Sequence, residues 1–158
     1  CSQRIQVSGM SGEQIPSADC YCELDPVVKD KYGIPALRFH WKWSDHEVNQ
    51  VRHMQETFRA LVTEMGGQVF SAMPTKERGY GIATGGSIIH ELGTVRMGSD
   101  PKSSAVNEWC QAWDCRNLFV ADGGPFVSQA DKNPTWTIMA LAMRTSDRIL
   151  ELRRSGQL

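Results

Sequence analysis

No stretch of this chain approaches the roughly 18 consecutive apolar residues of a membrane-crossing helix. The run Cys1-Ser-Gln-Arg-Ile-Gln-Val7 has no apolar core of the kind a secretory leader carries. Charge of one sign is also scarce, since 17 Lys and Arg meet 18 Asp and Glu for a net charge of −1. That balance speaks against nucleic acid as a partner, which would call for a basic patch and a high isoelectric point. Five cysteines, an odd number, exclude a complete internal disulfide framework, and unpaired thiols are expected. Cys110 and Cys115 have no histidine at ligand spacing, so no metal is expected. Gly79-Tyr-Gly-Ile-Ala-Thr84 starts like a dinucleotide-binding G-x-G-x-x-G but lacks its third glycine, and no helical pattern follows. There is no G-x-S-x-G elbow and no cysteine with a histidine neighbour, so a hydrolase reading lacks its nucleophile.

What is present suits one domain with a core, at 158 residues. The chain opens on Cys1, and it is expected to be part of a longer polypeptide, with residues 1–17 a loop leading in from an upstream part. Alternation predicts a strand over 18–24, ended by Asp25-Pro26, and a turn with Gly33 at its exit. A second strand over 34–43, antiparallel to the first, has Leu37, Phe39, Trp41 and Trp43 on a half-buried aromatic face and His40 on the solvated one. Ser44-Asp-His-Glu47 is a capping box that opens an amphipathic helix covering the hairpin, and Gly66-Gly67 stops it. His46 and His53 fall on its surface. Residues 68–73 are a short strand candidate, 74–86 a loop and 99–116 polar and irregular, with Trp109 and Trp113 pinning that stretch. Residues 117–121 read as a buried strand. Asn133 as cap and Pro134 as first residue open a last helix that ends at Gly156. Antiparallel strands with helices predict an α+β fold.

The stretch that carries chemistry is Gly85-Gly-Ser-Ile-Ile-His-Glu-Leu-Gly-Thr-Val-Arg-Met-Gly98, in which Ile88 and Ile89 deliver His90 onto a glycine-punctuated turn. A lone histidine has a plain reading as a buried ring satisfied by backbone. It is also the side chain that exchanges a proton near neutral pH. Asn133 alone is a good cap, and Asp122-Gly123 is either a strand-exit turn or a place where backbone approaches a ligand. Oxidising an alcohol requires a base for the hydroxyl proton, a donor to hold the oxygen and positive potential near the hydride acceptor. His90, Asn133 and the free N–H groups of the helix beginning at Pro134 supply these three.

Three blocks in this order, His90-Glu-Leu-Gly-Thr-Val-Arg-Met-Gly98, Asn117-Leu-Phe-Val-Ala-Asp-Gly123 and Asn133-Pro-Thr-Trp-Thr-Ile-Met-Ala-Leu-Ala142, resemble the C-terminal signature of the glucose-methanol-choline (GMC) flavoprotein oxidoreductases. The resemblance covers most of residues 18–153. It implies FAD as cofactor, His90 as catalytic base beside the flavin and Asn133 as its partner. Asp122 and Gly123 would lie along the ribityl-phosphate part, and Asn133, Pro134 and Thr135 at the pyrimidine end. It further implies an antiparallel sheet covered by helices, the substrate-binding portion, over 18–116. Residues 117–158 would be a return strand and helix completing an FAD-binding domain. The partners implied are a small alcohol or sugar substrate, the upstream FAD-binding portion of the same polypeptide, and a cytochrome electron acceptor. The wording around His90 is most similar to bacterial sugar and gluconate dehydrogenases. These residues alone are not expected to hold FAD tightly. The alternative is a non-catalytic polyol-binding domain of the same fold.

Overall fold

The structure, a computed structural model, describes residues 12–87, 90–128 and 131–158. Its elements are β1 (Tyr21–Lys29), β2 (Pro35–His40), α1 (Asp45–Glu64), a 3₁₀ turn (Lys76–Gly81) and α2 (Thr135–Arg154). They fall into two compact units, one containing Trp43–Thr84 and the other Gln14–Lys42 with Gly85–Leu158, where a single core was expected. Among the described residues no helix is long and apolar enough to cross a membrane.

β1 and β2 form a two-stranded antiparallel sheet in which Tyr21 pairs with His40 and Leu24 with Leu37. The turn joining them is organised by Asp30, whose Oδ1 accepts the N–H groups of Tyr32 (2.8 Å) and Ile34 (2.9 Å). Gly33 takes the left-handed conformation there, φ 84°. β1 continues through Asp25-Pro26, where the sequence predicted its end, with an irregularity between Leu24 and Lys29. The reason is Asp25, which is buried. Its Oδ1 accepts the amides of Val27 and Val28, both at 2.8 Å, and its Oδ2 takes Arg38 Nε at 2.9 Å. A carboxylate thus replaces the ladder bonds that proline and the bulge remove. The amides of Val28 and Val27 first, and Arg38 after them, hold the Asp25 carboxyl below its usual range.

β2 is shorter than predicted, ending at His40. Its apolar face is open rather than half-buried, with Leu37 and Phe39 57% and 60% exposed. His40 is not simply solvated. It stacks on Tyr21, ring centroids 4.3 Å apart, and its Nε2 lies 2.8 Å from Glu23 Oε1.

α1 opens at the capping box, with Ser44 N–H donating to Glu47 Oε2 at 2.8 Å and Ser44 Oγ accepting from His46 N. It closes in a Schellman motif: Gly67 N–H bonds Val62 O (2.8 Å) and Gly66 N–H bonds Thr63 O (2.9 Å), with Gly66 left-handed. Residues 68–73 form no strand. In the predicted loop the 3₁₀ turn packs on α1, Gln55 Nε2 donating to Tyr80 O at 3.4 Å.

The stretch 99–116, predicted to be irregular, holds two of the best-buried apolar residues among those described, Val106 at 2% and Cys110 at 0% exposure. Asn107 makes this possible. Its Oδ1 accepts from Trp109 N (2.9 Å) and Gln111 N (3.1 Å), closing a loop that leaves Cys110 inside with a left-handed backbone, φ 59°. Residues 117–121 are not a continuous strand. They pair with this loop at one bridge, Gln111 with Phe119, and Leu118 is half exposed. α2 docks on the same loop through buried Thr145, whose Oγ1 donates to Trp109 O at 3.2 Å. The guanidiniums of Arg144 and Arg148 lie 5.7 and 5.4 Å from the Trp109 ring. α2 ends as α1 does, with Gln157 N–H on Leu152 O (2.8 Å) and Gly156 left-handed.

A carboxyl whose folded pKa lies below its unfolded value, about 3.9, contributes stability that is present above that value and lost as pH falls through the folded pKa. The protection of the Val27 and Val28 amides, their exchange measured against the intrinsic rate at the same pH, is therefore expected to be high at pH 7 and to fall only below the ordinary carboxylate range of about 3.9. In Asp25→Asn the acid-dependent step disappears.

Candidate active site

The segment that follows His90 is laid along the Asp122 turn by three backbone hydrogen bonds. Gly93 N–H donates to Gly123 O (3.1 Å), Val95 N–H to Gly124 O (3.1 Å) and Met97 N–H to Pro125 O (2.9 Å). The approach depends on missing side chains. A Cβ on Gly123 would stand 2.1 Å from Leu92 Cδ2, and one on Gly124 would stand 2.6 Å from Val95 Cγ2. Both glycines and Pro125 are buried. Asp122 shapes the turn, its Oδ1 accepting Gly124 N–H at 2.7 Å, while the residue itself stays exposed. The glycines thus bring backbone close to Leu92 and Val95 of the chain itself.

The same turn reaches α2. The point above Gly123 that Leu92 occupies lies 3.6 Å from Ile138 Cδ1. Ile138 N–H is the first amide of the helix to find a partner inside it, Pro134 O at 2.9 Å. α2 begins at Thr135, one residue later than predicted, with buried Pro134 in the cap position and no side chain capping it. Asn133 is therefore not the cap. It is exposed and forms no side-chain hydrogen bond with a described residue. The amides of Thr135, Trp136 and Thr137 precede the intrahelical ladder and are directed out of the helix end, where the dipole is positive.

His90 is half-buried and forms no hydrogen bond with a described residue. The strand predicted to deliver it, through Ile88 and Ile89, lies outside the described residues. A hydrogen bond thus joins Gly93 to Gly123, and Leu92 and Ile138 both border the space above Gly123. No hydrogen bond between described residues joins His90 directly to Asn133. Leu92 escaped the sequence reading because an apolar residue beside a glycine carries no chemical signal. The Asn107 loop escaped it because its polar residues point inward to backbone.

The polar groups left exposed here are of the kinds that bind hydroxyls and phosphates. The Asp122 carboxylate is an acceptor for hydroxyls, Asn133 and Thr135 are short polar side chains, and the helix end offers amides and positive potential. Bound at these residues, FAD would supply a hydride acceptor.

Residues 16–142 match the C-terminal model of the family described as GMC oxidoreductase. The chain is 36% identical over 141 residues to 2-methyl-1,2-propanediol dehydrogenase of Mycolicibacterium austroafricanum, covering 89% of this chain and 24% of that protein. It is 31% identical over 140 residues to the gluconate 2-dehydrogenase flavoprotein of Pantoea cypripedii, covering 87% and 23%. To the fructose dehydrogenase large subunit of Gluconobacter japonicus it is 28% identical over 144 residues, covering 91% and 25%. The chain thus spans about a quarter of the length of the curated relatives it matches. GMC oxidoreductases are FAD flavoproteins, and these relatives are oxidoreductases named for alcohol and sugar substrates.

Because Asn133 does not cap α2, Asn133→Ala is expected to leave urea unfolding unchanged within a few tenths of a kcal/mol, where loss of a true asparagine cap costs about 1 kcal/mol.

Proposed function

Since the chain belongs to the GMC oxidoreductase family, we propose that it is the C-terminal part of an FAD-dependent dehydrogenase acting on a CH–OH group of a sugar, sugar acid or alcohol. The observation that carries this reading is the junction in which the His90 segment, the Asp122 turn and the start of α2 share one backbone surface at Gly123. In this reading the junction serves a histidine that forms no hydrogen bond with a described residue, an amide side chain not spent on capping and the positive end of a helix.

An imidazole nitrogen of His90 accepts the hydroxyl proton while the carbon bearing that hydroxyl gives up a hydride, for which FAD would supply the acceptor. The donor thus loses two electrons and two protons, one proton to His90 and the other with the electron pair. The Asn133 side-chain N–H donates to the oxygen and holds it as charge builds there. Asp122 and Gly123 would hold the ribityl-phosphate part of the cofactor. Asn133, Pro134 and Thr135 would hold its pyrimidine end, where the helix dipole would favour negative charge. After each turnover His90 releases its proton to solvent, and the electrons pass to an acceptor, in the present reading a cytochrome.

The apolar surface of α2 supports an upstream portion as the missing partner. Trp136, Met139, Met143 and Leu150 recur at helical spacing and are 87%, 60%, 70% and 47% exposed. Three-quarters of a relative's length lies outside the matched region. We assign this stripe to the upstream FAD-binding portion, with residues 117–158 completing that domain and 18–116 belonging to the substrate domain.

In the intact polypeptide, 2-methyl-1,2-propanediol, gluconate and fructose are the first donors to test by anaerobic bleaching of flavin absorbance. His90→Ala is expected to keep its flavin and to bleach about 10²–10⁴-fold more slowly than wild type. Asn133→Ala is expected to lose about 10²–10³-fold. Bleaching of the His90 variant at the wild-type rate would refute the base assignment. An intact polypeptide that binds no flavin would leave a polyol-binding domain as the better account.

A further inference from the structure

The segment 85–98 is held on either side of His90 by contacts that exist only because a glycine has no side chain. Upstream, a Cβ on Gly85 would stand 2.5 Å from Trp41 Cε3, so the backbone there lies flat on the indole. Downstream, Leu92 is two residues from His90, at most about 7 Å along the chain. Its Cδ2 occupies the space a Gly123 side chain would fill, 2.1 Å from the built Cβ. Gly123 does not have a left-handed φ, so conformation does not require glycine there. Space does. The notch is walled by Ile138 Cδ1 at 3.6 Å, in the first turn of the helix that follows Asn133. Next to the notch, Gly93 N–H is bonded to Gly123 O at 3.1 Å.

We infer that Leu92 is a positioning residue for His90: seated in the Gly123 notch and backed by Ile138, it sets the height of the imidazole over the cofactor turn and its distance from the Asn133 end of α2. The inference rests on His90 being the base. A packed apolar contact is a stiff spacer, because interiors close to crystal density do not yield continuously. Backbone bonds fix the direction of the segment, but they join it only to the turn. The Leu92 side chain shares the space above Gly123 with Ile138 of α2. Truncating it to Ala removes three carbons and lets the segment settle towards Gly123. Adding a methyl at Gly123 pushes it the other way.

The test is the rate constant for anaerobic flavin reduction in the intact polypeptide, with 2-methyl-1,2-propanediol, gluconate or fructose, whichever bleaches the wild type. Leu92→Ala is expected to slow reduction by about 10- to 100-fold at saturating donor, the scale on which a misplacement near 1 Å acts. Its half-saturating donor concentration and flavin content stay at wild-type values. Gly123→Ala is expected to be slowed similarly. The double variant Leu92→Ala/Gly123→Ala is expected to be faster than either single one, since the added methyl sits where the leucine tip was, a coupling that independent sites do not show. Leu92→Met, which refills the notch, is expected to retain at least a third of the wild-type rate. The inference is overturned if Leu92→Ala reduces flavin within twofold of wild type, if the two effects multiply in the double variant, or if rate falls only in step with flavin content. His90→Ala, measured alongside, separates the two readings: a wild-type rate there removes the base assignment, whatever Leu92 does.

Discussion

The contact on which the rest depends is the bare backbone of Gly123 and Gly124. Two side chains from the His90 segment, Leu92 and Val95, sit where those glycines have none, and three backbone bonds follow from the closeness that results. A single added methyl on either glycine would stand well inside contact distance of its neighbour. The approach also buries polar backbone, and the bonds from Gly93, Val95 and Met97 satisfy the carbonyls that burial would otherwise leave without partners. Asp122 closes the turn with its own carboxylate, Oδ1 accepting from Gly124 N–H.

Around that junction the chain relies on loops more than on a sheet. The Asn107 side chain gathers the amides of Trp109 and Gln111, and the loop so formed encloses Cys110 and Val106. α2 then rests on the outside of the loop through Thr145 and the Arg144 and Arg148 contacts with Trp109. A left-handed backbone at Cys110 costs conformational energy that an isolated turn would not sustain. It persists because the surrounding bonds and complete burial over-determine it. The same loop therefore fixes one side of α2, while the Gly123 notch fixes the start of that helix at Ile138.

Among the described residues few large apolar side chains are buried outright. Those left open are patterned, as a stripe on α2 and as the Leu24, Leu37 and Phe39 face of the hairpin. An exposed apolar stripe on a 20-residue helix is the mark of an interaction surface. Matches that reach only a quarter of each relative, and a proposed cofactor held between this chain and an upstream portion, describe the same situation from two sides.

Local chemistry was legible in the sequence. The Ser44 capping box, the glycine stops at Gly66 and Gly156, and the turn at Gly33 depend on contacts within a few residues, and the structure places each where the residues indicate. The family was legible too, because its motif blocks are contiguous words. What tertiary structure alone decided were matters of distant partners. β1 passes Pro26 because Arg38 and two amides meet Asp25. The 99–116 stretch contributes Val106 and Cys110 to the core because Asn107 turns inward to backbone. Asn133, a good cap by composition, is left uncapped and exposed because Pro134 takes the cap position. The importance of Leu92 is the clearest case. Nothing in its own neighbourhood marks it, and its role exists only once Gly123, 31 positions further along the chain, is folded beneath it.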